Sequence, residues 1–421
     1  MARIKAFNGL RYNKDKVDYS AVVTQPYDKI SQELRDKYYE RSPYSAVRLI
    51  LSKAQDPYLD AQKNLHDWLQ GKIILQDKEP SIYAYHQEYQ TDGIKKVRRG
   101  FIAGVGLEYT NKKIILPHEK TLSKPKADRL NLLKATKTHF GQIFLLYKDT
   151  EKKIYSLLAP FTAQEPDETV VDDFQDTHKL WKISDPATIA NIAAIMRDKQ
   201  LLIADGHHRY ATSCTFAEEN GVKPGEEGAF GYTMATLINM DDEGLTVLPT
   251  HRMVHGLAHF SSAEFLKNCQ TYFDVKPTPD LDQTLKAIEQ HRTDNIFGFY
   301  DGKQFCTLTL KSLATMDELI GTAQSKEWKS LDVAVLHTVI MEKLLGISKE
   351  KQDAQENISY IRTAYSAYNQ VKSGKEQAVF FMNYTSVQEV YAVAQNGEVM
   401  PQKSTDFYPK LLSGMVMYNI K

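Results

Sequence analysis

The ten residues Leu201-Leu202-Ile203-Ala204-Asp205-Gly206-His207-His208-Arg209-Tyr210 constrain this chain more than any other stretch. Four apolar residues have the length and type of a buried strand, and they run straight into Asp-Gly. A helix is expected to follow over Tyr210 to Asn220, with Tyr210, Cys214 and Ala217 on one face and Asn220-Gly221 as its stop. Gly206 permits a positive φ or the close approach of a ligand to the backbone. The free N–H groups that open the helix then point at whatever sits over the turn. His207, His208 and Arg209 stand at the same end, where the helix dipole disfavours cations. Such a first turn is locally unfavourable unless an anion compensates it, so the stretch reads as a phosphate cradle. The same residues also satisfy a plainer description, a turn capped by Asp205 with surface histidines.

A chain of 421 residues can hold two or three domains with sizeable cores. Lys+Arg and Asp+Glu balance at 53 each, so no global field favours nucleic acid or an anionic membrane. Three cysteines, Cys214, Cys269 and Cys306, are far apart and odd in number, which argues against a disulfide scaffold or a cysteine-only zinc site. The start, Met-Ala-Arg-Ile-Lys-Ala-Phe-Asn-Gly, has no apolar signal core, and no uncharged apolar stretch reaches spanning length. A soluble, cytoplasmic protein is expected.

In chain order, Ile4 to Leu10, Ala21 to Val23 and Val47 to Leu51 read as short strands, and Ser31 opens a helix to about Arg41. Gln25-Pro26-Tyr27-Asp28 is a turn that Pro26 holds extended, aiming Tyr27 and Asp28. Tyr58 to Leu69 is an amphipathic helix with Leu59, Leu65, Trp68 and Leu69 inward. Ser81 to Glu88 and Lys96 to Leu107 are neighbouring strands joined at Asp92-Gly93. His118-Glu119-Lys120-Thr121 then precedes a helix, to about Thr138, capped by Ser123 with Pro125 in its first turn. Here His118 and Glu119 read equally as a general-base pair and as solvated loop residues. Gln142 to Tyr147 is a buried strand. Leu245 to Leu248 is expected to pair back on Met234 to Met240 as a hairpin ending in Thr250-His251-Arg252.

From about Phe260 the pattern restarts. Helices are expected over Ser262–Cys269, Leu281–His291, Asp332–Leu345 and Val387–Ala394. Strands are expected at Phe273–Lys276, Ile296–Phe299, Phe305–Leu310 and Ala378–Met382. The tail Met400-Pro401-Gln402-Lys403-Ser404-Thr405-Asp406-Phe407-Tyr408-Pro409-Lys410 is a stiff loop with two lysines and two hydroxyls. Lys403-Ser404-Thr405 resembles the end of a phosphate loop without its glycines. There is no His-Glu-x-x-His and no Gly-rich dinucleotide fingerprint. A zinc site from His118, His207, His208 and His251 fits by ligand type only. Successive helical side chains such as His207 and His208 diverge by about a hundred degrees, and phosphate explains Gly206, Arg209 and the helix start together.

The central signature, with Gln25-Pro26-Tyr27-Asp28, Arg41-Ser42-Pro43-Tyr44, His118-Glu119-Lys120-Thr121, Asp128-Arg129, Leu248-Pro249-Thr250-His251-Arg252 and the tail, resembles the bacterial family known as domain of unknown function 1015. Ala211 stands where that family commonly has Glu. The family is similar in turn to the ParB/sulfiredoxin-like superfamily, which includes free-serine kinases. Their Asp-Gly-His-x-Arg motif matches Asp205, Gly206, His207 and Arg209. A glutamate is the base in those kinases, and Glu119 is the candidate here.

The resemblance implies an α/β fold: a ParB/sulfiredoxin-like mixed-sheet lobe with inserted helices over residues 1–260, a second α/β lobe over 261–395, and a terminal arm, 396–421, returning to the site. It implies a kinase using ATP or ADP with Mg²⁺ to phosphorylate a small metabolite, free L-serine first, with no nucleic-acid or membrane partner and a homodimer as the candidate assembly. Asp205 would hold the metal. His207, with His118, would serve the chemistry, and Gly206, His208, Arg209, Lys403, Ser404 and Thr405 would hold the nucleotide. Asp28, His251 and Arg252 would meet the acceptor. His118-Glu119, Thr250-His251-Arg252 and Lys403-Ser404-Thr405 are expected to converge on the Asp205–Arg209 loop. Two rivals stand beside this reading: a nucleotide-binding regulatory switch of the ParB kind, and a metal-dependent hydrolase.

Overall fold

Runs of buried, mostly apolar residues in the first half of the chain build the centre of one large mixed sheet. In the computed structural model, which describes residues 1–91, 93–121 and 123–420, the chain divides into two compact units. The first comprises residues 1–117, 121–246 and the end of the chain from Pro409. Its nine-stranded sheet contains β1 (Ile4–Lys5), β2 (Ile82–Thr91), β3 (Ile94–Gly106), β4 (Ile115–Leu116), β5 (Ile143–Tyr147), β6 (Glu168–Val171), β7 (Thr177–Ile183), β8 (Leu201–Asp205) and β9 (Tyr232–Asn239). The order is β4-β8-β5-β9-β3-β2-β7-β6, with β1 beside β3. β8 runs parallel to β4 and β9 parallel to β5, while the other pairs are antiparallel. Ile82, Phe101, Leu145, Ile203 and Leu237 form part of the core of this unit. The chain is thus an α/β protein with a mixed sheet, as expected.

Several short segments depart from their sequence pattern. Ala21 to Val23 is not a strand: Tyr19–Val22 is a helical turn, because the Asp18 carboxylate accepts the Ser20 N–H at 2.9 Å. Val47 to Leu51 is likewise helical over Val47–Ile50, with Val47, Leu49 and Ile50 all buried. Burial by surrounding elements overrides the β preference of such a short run. Leu59 faces solvent, 60% exposed, while Leu65 and Trp68 of the same helix are buried. Leu245 to Leu248 does not return as a hairpin beside β9. The Tyr89 hydroxyl donates to the Gly244 carbonyl at 2.7 Å, and Gly244 packs so closely on the Val97 backbone that a Cβ would overlap it. That contact carries the turn across β2 and β3 instead. Asp92 of the expected Asp92-Gly93 turn lies outside the described residues, as do the side chains of Ser123 and Pro125 expected at a helix start. The Ser31 cap is observed, its hydroxyl accepting the Leu34 N–H at 3.2 Å.

The second unit comprises residues 118–120 and 247–408. Its six-stranded sheet contains β10 (His251–Val254), β11 (Phe273–Thr278), β12 (Ile296–Tyr300), β13 (Phe305–Leu310), β14 (Ile358–Ile361) and β15 (Ala378–Phe381), in the order β11-β13-β12-β15-β10-β14. Met253, Ile288, Tyr300, Val379 and Phe381 pack as its core. The expected helix from Asp332 is α-helical over Asp332–Val335 and then widens to a π-helix over Leu336–Leu344. No helix of the described residues is long and apolar enough to cross a membrane.

Asp332 gives this unit a pH dependence. Burial raises its carboxyl to about 7, against the opposing hydrogen bond from the Asn295 amide at 2.8 Å. The folded state therefore holds its proton more tightly than the unfolded chain does. This group's contribution to stability falls as pH rises from about 4 to about 7, then levels off. Asp332→Asn should remove that slope and stabilise the protein at pH 8, relative to pH 4, by on the order of 2–4 kcal/mol. Urea unfolding of both proteins at the two pH values checks this; parallel pH profiles would refute it.

Candidate functional site

Asp205 ends β8 at an irregularity in the ladder. Ile203 lies opposite Leu145 but Asp205 lies opposite Phe144, so β8 carries one extra residue just before the turn. Such a bulge re-aims the next side chain. Gly206 follows at φ 97°, in the left-handed region that favours glycine, and forms the N-cap of helix His207–Glu219 with no side-chain cap. A Cβ here would also lie 3.1 Å from Nε and Nη2 of Arg209. The glycine therefore serves twice: it allows the backbone turn, and it lets the guanidinium fold back over that turn.

Arg209 is held from two sides. Its Nη1 donates to the Gln142 carbonyl, and its Nη2 lies 3.5 Å from Asp205 Oδ2, one helical turn back. Burial alone would raise the Asp205 carboxyl. Lys410, Arg209, Lys29 and His207 outweigh it and hold the carboxyl well below the usual carboxylate range. His207 is buried, whereas His208 and Arg209 are half-buried. One carboxylate thus stands among several cations at the uncapped start of a helix, and the surplus of positive charge suits an anion with more than one negative charge.

The turn after Pro26 belongs to the same unit. Tyr27 is half-buried and Asp28 and Lys29 are exposed. Burial raises the Tyr27 hydroxyl, and the nearby Arg209 and Arg129 partly offset it. The Arg129 guanidinium sits 4.3 Å from the centre of the Tyr27 ring. The chain end threads this unit too: Thr24 and Ser413 exchange backbone hydrogen bonds at 3.1 and 2.8 Å, and Tyr418 pairs with His139.

The remaining candidates assemble in the second unit. His118 is fully buried; its Nε2 lies 3.0 Å from the Thr405 hydroxyl, and its carbonyl accepts the Met400 N–H at 2.8 Å. Glu119 beside it is half-buried. Arg252 is buried, with its guanidinium donating to the carbonyls of Thr250, Gln402 (3.3 Å) and Lys403 (3.0 Å). Burial lowers Arg252 to about 10 and neighbouring His337 to about 3. Arg252 therefore holds the backbone of the Gln402–Lys403 segment, where Lys403 adopts φ 56°. The Ser404 hydroxyl donates to the Pro401 carbonyl. His251 accepts the Met382 N–H at 3.1 Å, and burial lowers it to about 4. Within the second unit, His118 is thus hydrogen-bonded to Thr405, and Arg252 to Thr250 and Lys403, while Asp28 and Asp205 to Arg209 belong to the first. Among the described residues no group of three His, Cys, Asp or Glu side chains is placed to hold a metal ion. The reading of residue types missed three contributors to the Asp205 turn, namely Lys29, Lys410 and the Gln142 carbonyl. Arg129, in the Asp128-Arg129 pair, meets the Tyr27 ring, a contact that residue type alone does not signal.

The family model described as "Protein of unknown function (DUF1015)" matches residues 4–334. No curated protein matches the chain. Among solved structures the chain is similar to a free serine kinase in complex with AMP, at 14% identity and TM-score 0.35, covering 73% of this chain and 86% of that one. It is also similar to a conserved hypothetical protein from Pyrococcus furiosus (16% identity, 76% and 94% covered, TM-score 0.35). A third is SbnI with C-terminal truncation from Staphylococcus aureus (12% identity, 74% and 85% covered, TM-score 0.35). These values are too low to transfer a function.

Proposed function

The chain belongs to the DUF1015 family, and for it we propose a nucleotide-dependent kinase that phosphorylates the hydroxyl of a small metabolite, with free L-serine as the first acceptor to test. The observation that carries this reading is the Asp205–Arg209 turn. Gly206 sits at a positive φ, the helix start has no side-chain cap, and Arg209, Lys29, Lys410 and His207 crowd a single carboxylate. Together these suit the phosphates of ATP or ADP. The Asp-Gly-His-x-Arg resemblance to free-serine kinases points the same way.

In this reading, Arg209, His207, His208 and the amides after Gly206 bind the phosphates and stabilise charge on the transferring group. Glu119 takes the proton from the acceptor hydroxyl, an assignment that rests on the sequence motif. The hydroxyl oxygen forms a bond to the terminal phosphorus as the bridging P–O bond breaks, and ADP leaves from ATP, or AMP from ADP. Among the turn's side chains only Asp205 is a carboxylate, and it is compensated by cations. Asp205 would be the residue to hold Mg²⁺ arriving with the nucleotide, once the phosphates offset the cations around it. When bound, the ion would neutralise phosphate charge. Asp28, His251, Arg252, Lys403, Ser404 and Thr405 remain candidates for ligand contact.

The test is formation of O-phosphoserine from L-serine with ATP or with ADP, followed by mass spectrometry. Stoichiometric phosphoserine is expected with one donor. Tight nucleotide binding without phosphoserine from either donor would replace the kinase with a nucleotide-binding switch.

A further inference from the structure

Arg209 also lines a cavity of about 60 Å³ inside the first unit, shared with Tyr27 and Arg129. Arg129 is the informative residue. Its side chain is only 9% exposed. Nε donates to Asp128 Oδ2 at 2.8 Å, and Nη2 donates to the same oxygen and to the Ile50 carbonyl at 3.0 Å. One face of the guanidinium rests on the Tyr27 ring. Among the described residues, Nη1 has no hydrogen-bond partner. A guanidinium keeps its charge, so one that lines a cavity with N–H groups the protein does not use is suited to an anion there.

The walls of the cavity narrow the choice. Leu132, Leu133 and Phe140 form apolar wall, which suits a carboxylate carried on carbon better than a phosphate.

We propose that this cavity is a carboxylate subsite, with Arg129 as the clamp and the Tyr27 ring as its platform, and that it takes the α-carboxylate of a small amino acid. Identifying that amino acid as the phosphoryl acceptor rests on the kinase reading; carboxylate binding does not.

Calorimetric titration of the full chain with L-serine, L-alanine, L-serinamide and MgADP tests the subsite. Serine and alanine should bind, and serinamide, which lacks the carboxylate, should bind about tenfold more weakly or worse. Arg129→Lys should weaken serine and alanine by about tenfold or more, because an ammonium cannot reproduce the forked donor, and should leave MgADP within about twofold. Tyr27→Leu keeps the hydrogen bonds of Arg129 but removes its platform; it should weaken the amino acids in the same direction, and it serves as the test if the Arg129 variant fails to fold. Loss of MgADP rather than amino-acid binding would reassign the anion as a nucleotide phosphate and overturn the proposal. Serinamide binding as well as serine, or no amino-acid binding by the unaltered protein, would also overturn it. Alanine bound through Arg129 without any phosphoserine formation would leave the subsite standing and remove the kinase.

Discussion

Replacing Arg209 with alanine is expected to weaken MgATP or MgADP binding by about ten- to a hundredfold, since charge-assisted hydrogen bonds are each worth roughly 1.5–3 kcal/mol. The loss has two parts. Direct donors to phosphate disappear, and Asp205 loses the guanidinium 3.5 Å away that offsets its charge. A less compensated carboxylate then repels the incoming phosphates. Arg209→Lys keeps the charge but cannot serve the Gln142 carbonyl and Asp205 together, so it should recover only part of the affinity. Gly206→Ala removes no charge, yet it strains a backbone at φ 97° and displaces the guanidinium, so it should weaken nucleotide in the same direction. Titration calorimetry at one fixed ionic strength, with circular dichroism to establish folding, measures all three. Unchanged affinity in folded Arg209→Ala would remove the phosphate cradle.

Glu119→Gln should lower the single-turnover rate of phosphoserine formation by about a hundred- to ten-thousandfold, the range for losing a positioned general base. Nucleotide affinity should stay within about twofold, because glutamine keeps the size and hydrogen-bonding shape of glutamate while losing the ability to take a proton. The peptide before Glu119 is well held: the His118 carbonyl accepts the Met400 N–H, and the His118 ring meets the Thr405 hydroxyl. The substitution should therefore leave the local backbone in place, so a rate effect reports chemistry rather than misfolding. A single-turnover rate equal to that of the unaltered protein would move the base to another residue, and equal loss of nucleotide binding would make Glu119 a ligand contact.

Much of the Asp205 turn is legible in the sequence. Strand, glycine and helix start follow from four apolar residues, a residue free to adopt positive φ, and the helical spacing of Tyr210 and Ala217. The Ser31 cap is equally readable, because its hydrogen bond closes within three residues. The structure departs from the sequence pattern where local preference is weak. Val47 to Leu51 and Ala21 to Val23 are too short for their own preference to prevail, and burial and an Asp18 cap made them helical. The turn at Gly244 depended on Tyr89 and Val97, far away in sequence.

The sequence by itself determined those features whose energies are set by near neighbours: the strand into Asp205, the glycine turn at Gly206 and the helix after it, which opens at His207, three residues before the expected Tyr210. Only the tertiary structure decided which charges share a site. Lys29, Gln142 and Lys410 reach the Asp205–Arg209 turn from three distant segments, and Arg129 reaches Tyr27 across a long stretch of chain. Such meetings depend on how sheets and helices pack around a common core. The electrostatic energy that makes them useful exists only after that packing has brought the charges together and excluded most of the water between them.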